Sequence, residues 1–85
     1  MRHPQVIIRK LGQHKAWGLF DGEIHIDPRT KGRARIEVLL HERLHGIHPD
    51  MEEEDVRRTA AILADFLHRN HVRVVEPDKH GLDDL

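Results

Sequence analysis

Apolar positions in the first third of the chain come in short runs or alternate with polar ones. Val6-Ile7-Ile8 is a three-residue apolar run, and Gly12-Gln13-His14 marks a turn. Ala16-Trp17-Gly18-Leu19-Phe20 and Glu23-Ile24-His25-Ile26-Asp27 flank Asp21-Gly22. An Asp-Gly pair between two alternating segments signals a β-hairpin, whose tight turn asks for positive φ at both central residues. The alternation puts Trp17 with Leu19 on one face, and likewise Ile24 with Ile26. It therefore predicts Trp17 in the hairpin's core and His25 off its apolar face, turned toward solvent or a substrate. Pro28 ends the second strand.

From Ile36 the period lengthens to that of a helix. Ile36, Leu39, Leu40, Leu44 and Ile47 recur at three- and four-residue intervals, predicting a helix that begins between Thr30 and Arg33 and ends near Gly46. Gly46 suits a C-terminus, and Pro49 cannot continue the helix. Asp50 reads as an N-cap, with Glu53 three residues on completing a capping box. The second helix then runs to about Asn70, with Val56, Ala60, Leu63, Ala64 and Leu67 as its inward stripe. Val72 and Val74 predict a final short strand, and Pro77 to Leu85 an acidic tail. The fold class is α+β: a small antiparallel sheet (a β-hairpin plus one strand) packed on a two-helix hairpin. One domain over residues 1–85 is expected, with its core at about 5–75.

Composition narrows the chemistry. The 85 residues include 9 His and no Cys, so neither a disulfide nor a Cys-based zinc or redox site is available. A chain this short buries only about 60% of the surface its unfolded form exposes, so it often needs a staple. Imidazole is the commonest metal ligand, which makes the histidines the excess to explain. No apolar run approaches the roughly 20 residues of a membrane span. The opening MRHPQVIIRKLGQHK also lacks a secretory apolar segment, so a soluble cytoplasmic protein with no membrane partner is expected.

Charge is uneven: residues 1–49 carry 9 basic and 5 acidic side chains, residues 50–85 carry 5 and 10. Arg29, Lys31, Arg33 and Arg35 cluster at the start of the first helix. With a net charge of −1 and no interleaved aromatics, a solvated helix end is expected there rather than a nucleic-acid interface. His3, His14 and His80 are expected at the surface.

The informative segment is His41-Glu42-Arg43-Leu44-His45, an H-E-x-x-H zinc pattern. Residues i and i+4 stack on one helical face about 6 Å apart along the axis, so both imidazoles can reach one ion. Glu42 points about 100° round the helix, where it can address a zinc-bound water whose pKa falls to about 7. The two histidines lie opposite the arc centred on Ile36, Leu40 and Ile47.

A catalytic zinc takes three protein ligands and one open position. His48 lies across a helix end broken by Pro49, and capping accounts for Asp50. The first turn of the second helix is the better source, because a short connection should bring it beside His45. On a helical wheel anchored at Val56, Glu52 and Glu53 flank the inward stripe while Glu54 points away. Glu53 is the first choice and Glu52 the next.

Ile36 to Leu67 resembles the active-site helix and following helix of small zincin-like metallopeptidases of bacteria and phages, distantly the ImmA/IrrE-like and SprT-like groups. The preceding GEIHIDP resembles their strand before that helix, so the likeness spans residues 16–75. It implies zinc (Zn2+) held by His41, His45 and an acid on the second helix, with Glu42 as general base. By sequence pattern the acid is Glu53 or Glu54; the wheel favours Glu53. Arg43 falls near the apolar arc, where such helices carry a hydrophobe, and must snorkel or face a partner. There is no Tyr to polarise an oxyanion; that role falls to His48, His68, His71 or an Arg.

The expected function is a zinc-dependent metallopeptidase acting on a peptide or protein, the substrate lying along strand 23–27 by β-augmentation. The alternatives are a non-catalytic, zinc-stabilised protein-binding module and, more weakly, a small nucleic-acid regulator.

Overall fold

The computed structural model describes residues 2–12 and 16–75. The expectations for His14, His80 and the acidic tail lie outside these residues. The elements are β1 (Val6–Ile8), β2 (Gly18–Phe20), β3 (Ile24–Ile26), α1 (Gly32–Ile47) and α2 (Glu53–Arg69). The fold is α+β, a three-stranded sheet packed on two helices, with strand order β1-β3-β2.

β2 and β3 form the expected antiparallel hairpin, Gly18 opposite Ile26 and Phe20 opposite Ile24. β1 runs parallel to β3, Val6 opposite Ile24 and Ile8 opposite Ile26, so the sheet is mixed and not purely antiparallel. β1 ends and β2 begins at the same end of β3, Ile8 and Gly18 both opposite Ile26 but on its two sides, whereas a tight turn would have paired β1 with β2 directly. At the hairpin only Gly22 takes a positive φ, at 103°. Asp21 keeps a negative φ because its carboxylate closes the turn, accepting the Glu23 N–H at 3.2 Å.

As the central strand, β3 is buried throughout. That corrects the expectation for His25, which is only 6% exposed. Arg9 Nε donates to its Nδ1 at 2.9 Å, and its Nε2 meets Asp21 Oδ1 at 3.1 Å. Trp17 is also corrected: it is 55% exposed rather than core.

α1 lies between the sheet and α2, touching β2 and β3 on one side and α2 on the other. A helix in a middle layer needs apolar contact on two sides, which explains the breadth of its arc. α2 meets it through Val56, Ala60 and Ala64, all fully buried, two of them small enough to let the helices approach closely. Leu63 sits at the margin of that contact and is 40% exposed. Gly46 does not end α1. The helix continues to Ile47, and a Cβ at Gly46 would stand 2.9 Å from Phe20 Cζ, so the glycine admits the ring. α2 opens at Glu53 with Glu52 as N-cap and no side-chain capping bond, which replaces the expected Asp50 box. Residues 72–75 are irregular rather than a strand.

One residue ties the segments together. Asp27 is fully buried just after β3. Its carboxylate accepts the N–H groups of Leu11 and Arg29, both at 2.9 Å, and the Arg29 guanidinium through Nε at 2.9 Å and Nη2 at 3.1 Å. Its carbonyl accepts the Thr30 N–H and hydroxyl. The long loop, the end of the sheet and the approach to α1 thus share one anchor. The Arg29 side chain leads its causes in holding the Asp27 carboxyl far below the ordinary carboxylate value; the two backbone N–H groups add to that and burial opposes it.

Candidate metal centre

Four-residue spacing sets the polar stripes of the two helices. Arg33, Glu37, His41 and His45 follow one flank of α1; Glu53, Arg57, Ala61 and Asp65 follow one flank of α2. The short connection over residues 48–52 brings the start of α2 beside the end of α1. Contacts tie both ends: Glu53 reaches the histidines, while Arg33 donates to the Ala61 carbonyl at 3.2 Å and lies 3.9 Å from Asp65.

At the His-rich end, His41 Nε2 is 2.9 Å from one Glu53 oxygen and His45 Nε2 is 3.0 Å from the other. The two Nε2 atoms are 3.1 Å apart, with the rings edge to face. Three ligand atoms from two helices therefore converge, forming a group that could hold a metal ion. The fit follows from dimensions. Bonds of about 2.0–2.1 Å around a tetrahedral zinc would give a ligand–ligand edge of about 3.3–3.4 Å. His41 Nε2 and His45 Nε2, 3.1 Å apart and each beside one Glu53 oxygen, lie within a few tenths of an ångström of that edge. Two imidazoles and a carboxylate are also a donor set that zinc accepts. The side chains retain 21%, 31% and 49% exposure, so the group is open to solvent.

Glu42 is half-buried beside this group. A cleft of about 590 Å³ is lined by Trp17, Gly18, Val38, His41, Glu42, Glu53 and Arg57, among others. Burial raises the Glu42 carboxyl above its ordinary value; His41 and His45 oppose the shift and the Glu53 charge adds to it. Gly18 makes the arrangement fit. A Cβ there would stand 2.5 Å from Val38 Cγ1 and 2.9 Å from Glu42 Oε2, so the bare backbone of β2 is what leaves room for this carboxylate.

The other sequence candidates fall elsewhere. His48 caps α1 through its N–H to the Leu44 carbonyl at 2.8 Å. Asp50, Glu52 and Glu54 are not in the ligand group. His68 and His71 line a separate depression with Lys31 and Arg35, at the opposite end of the helix pair. Of the proposed oxyanion partners only arginines reach the cleft: Arg33, which binds Glu37 at 2.8 Å, and Arg57, 3.5 Å from Glu53. Arg43 reaches His3 at 3.3 Å on another surface. The basic cluster is divided among internal contacts, Arg29 with Asp27, Arg33 with α2, and buried Arg35 with the Pro28 carbonyl at 3.1 Å.

A second set of ligand types, Asp21, Glu23 and His25, gathers at the hairpin. Arg9 donates to His25 Nδ1, which leaves the proton on Nε2 to be donated to Asp21. That explains the set as a hydrogen-bonded turn. Sequence reasoning missed Asp27, the exposed position of Trp17 and the role of Gly18. A glycine facing the His-Glu segment across the hairpin was the one available signal.

The chain matches no protein-family model, no curated protein and no solved structure. Among the described residues, no helix is long and apolar enough to cross a membrane.

Proposed function

We propose that the protein is a zinc-dependent peptidase. The observation that carries this reading is the meeting of His41 Nε2, His45 Nε2 and the Glu53 carboxylate, 2.9 to 3.1 Å apart, in a cleft that also holds Glu42. A zinc ion there would act as a Lewis acid, polarising an amide carbonyl and acidifying water.

The chain supplies the rest. His41, His45 and Glu53 are the ligands, the carboxylate balancing part of the ion's charge. Glu42 takes a proton from the attacking water and returns it to the leaving amine nitrogen, the work of a general base and then acid. Arg57, on the cleft wall, is the cation for the oxygen that gains charge. The substrate edge is reassigned. β3 is central, so strand 23–27 has no open edge, whereas β2 is an edge strand and its Gly18 lines the cleft.

The test compares Glu42→Gln with His45→Ala on a peptide library read by mass spectrometry, with zinc measured on the same samples. Glu42→Gln is expected to keep the metal and lose about 10²–10⁴-fold in rate; His45→Ala is expected to lose both. Undiminished hydrolysis by the Gln variant refutes the base assignment. A second reading, a zinc-stabilised binding module, has one observation in its favour: the ligands come from both helices, so an ion would clamp α1 to α2.

A further inference from the structure

Trp17 stands in the open, outside the core. An indole is the largest apolar surface a residue can bury, yet this one remains 55% exposed and lines the same cleft as His41, Glu42 and Glu53. It is held firmly there. Its carbonyl accepts the Asp27 N–H at 2.9 Å, and the Arg29 guanidinium lies 4.6 Å from its ring centroid. Arg29 is itself fixed by two bonds to the buried Asp27 carboxylate. A cation backed by a buried anion thus pins an exposed aromatic at the cleft, at some cost in apolar surface left in water. Ala16, Ala34 and Val38 share the cleft lining with Trp17, together with the polar Thr30, Arg33 and Glu37.

We propose that Trp17 determines specificity in this cleft, selecting peptides with an aromatic or large aliphatic side chain beside the bond to be cut. The proposal deepens the peptidase reading and rests on it. Three features recommend this occupant. The cleft, at about 590 Å³, is the size of known small-ligand sites and takes one large side chain with its flanking backbone. Its lining adds the apolar side chains of Ala16, Ala34 and Val38 to the indole. The ring is ordered before binding, so little conformational freedom is lost when a side chain stacks on it.

The chain has one Trp and no Tyr, so its intrinsic emission reports on this wall alone. The full-length protein with zinc added is titrated with two blocked peptides, acetyl-Ala-Gly-Phe-Ala-amide and acetyl-Ala-Gly-Ala-Ala-amide, with excitation at wavelengths where Phe is silent. The Phe peptide is expected to shift Trp17 emission saturably and to bind at least about tenfold more tightly than the Ala peptide. In Trp17→Ala, read by calorimetry, that preference is expected to shrink to within about threefold, with zinc content unchanged. Equal affinities in the parent, no binding of either peptide, or a preference kept by Trp17→Ala would each overturn the proposal. Hydrolysis is followed in the same samples. Cleavage without the Phe preference removes this inference and leaves the peptidase; the Phe preference without cleavage removes the peptidase and leaves Trp17 as a recognition site.

Discussion

His41 Nε2 and His45 Nε2 face each other at 3.1 Å, each within 3.0 Å of a different oxygen of Glu53. Two ring nitrogens facing one carboxylate form a compact donor set that could hold a metal ion. The arrangement singles out Glu53 from its acidic neighbours. Glu53→Gln is expected to weaken zinc binding by at least the ~10–100-fold that loss of an outer-shell partner costs. Glu52→Gln and Glu54→Gln are expected to leave it unchanged. Competition against a chromophoric chelator measures all three; equal effects at 53 and 54 would reassign the third ligand.

Because the ligands span two helices, the ion should act on stability as well as chemistry. Binding to the folded state alone adds about 2.7 kcal/mol when free zinc is 100 times its Kd, or about 10–20 °C in Tm for a chain of this size. The buried side chains Leu11, Ile24, Ile26 and Ile36 lie outside the ligand group. Chelated protein is therefore expected to melt lower but to remain folded at room temperature by circular dichroism. Collapse at room temperature on chelation would favour the zinc-stapled module instead.

What the sequence made legible, and what it hid, follows from how far each signal reaches. The helices were readable because sixteen or so residues of three- and four-residue periodicity outvote local exceptions. The same angular argument places His41 with His45 and turns Glu53 inward. Three-residue strands carry no such redundancy. Nothing in Val6-Ile7-Ile8 says which side of β3 it will join, so the parallel pairing was unreadable. His25 was misjudged because alternation assumes one covered face, and β3 is covered on both. Trp17 was misjudged because apolar character predicts burial on average and says nothing of a guanidinium that holds a ring in the open. Asp27 looked like the end of a strand, since its four donors come from residues 11 and 29 and meet only in the fold.

Gly18 gives a sharp test of how the hairpin serves the site. Glycine inside a strand ordinarily weakens it, so Ala would be expected to help. Here the new methyl would stand 2.5 Å from Val38 Cγ1 and 2.9 Å from Glu42 Oε2. Gly18→Ala is therefore expected to cost about 1–3 kcal/mol in urea denaturation, the usual range for overpacking. It should also push the Glu42 carboxylate aside, lowering hydrolysis while the zinc content stays at the parent level. A gain in stability with full activity would contradict the close approach of β2 to α1.

Asp27 supplies the pH dependence. Its carboxyl is held far below the ordinary value of 3.8, first by the Arg29 side chain and then by the N–H groups of Arg29 and Leu11. As pH falls through about 3.8 the unfolded chain takes up a proton at this position while the folded chain keeps its charge, so protons drive unfolding. The contribution is complete above that value and fades as pH drops toward the depressed folded value. Asp27→Asn removes the titration and replaces one acceptor oxygen by an NH2 group that faces N–H donors. The variant is expected to be markedly less stable near neutral pH, where the full carboxylate contribution is lost. The gap from the parent should narrow below about pH 4. Urea midpoints taken with a chelator present, from about pH 6 down to about pH 2.5, keep metal binding out of the comparison. A gap that stays constant over that range would mean that Asp27 is not the carboxylate whose protonation loosens this fold.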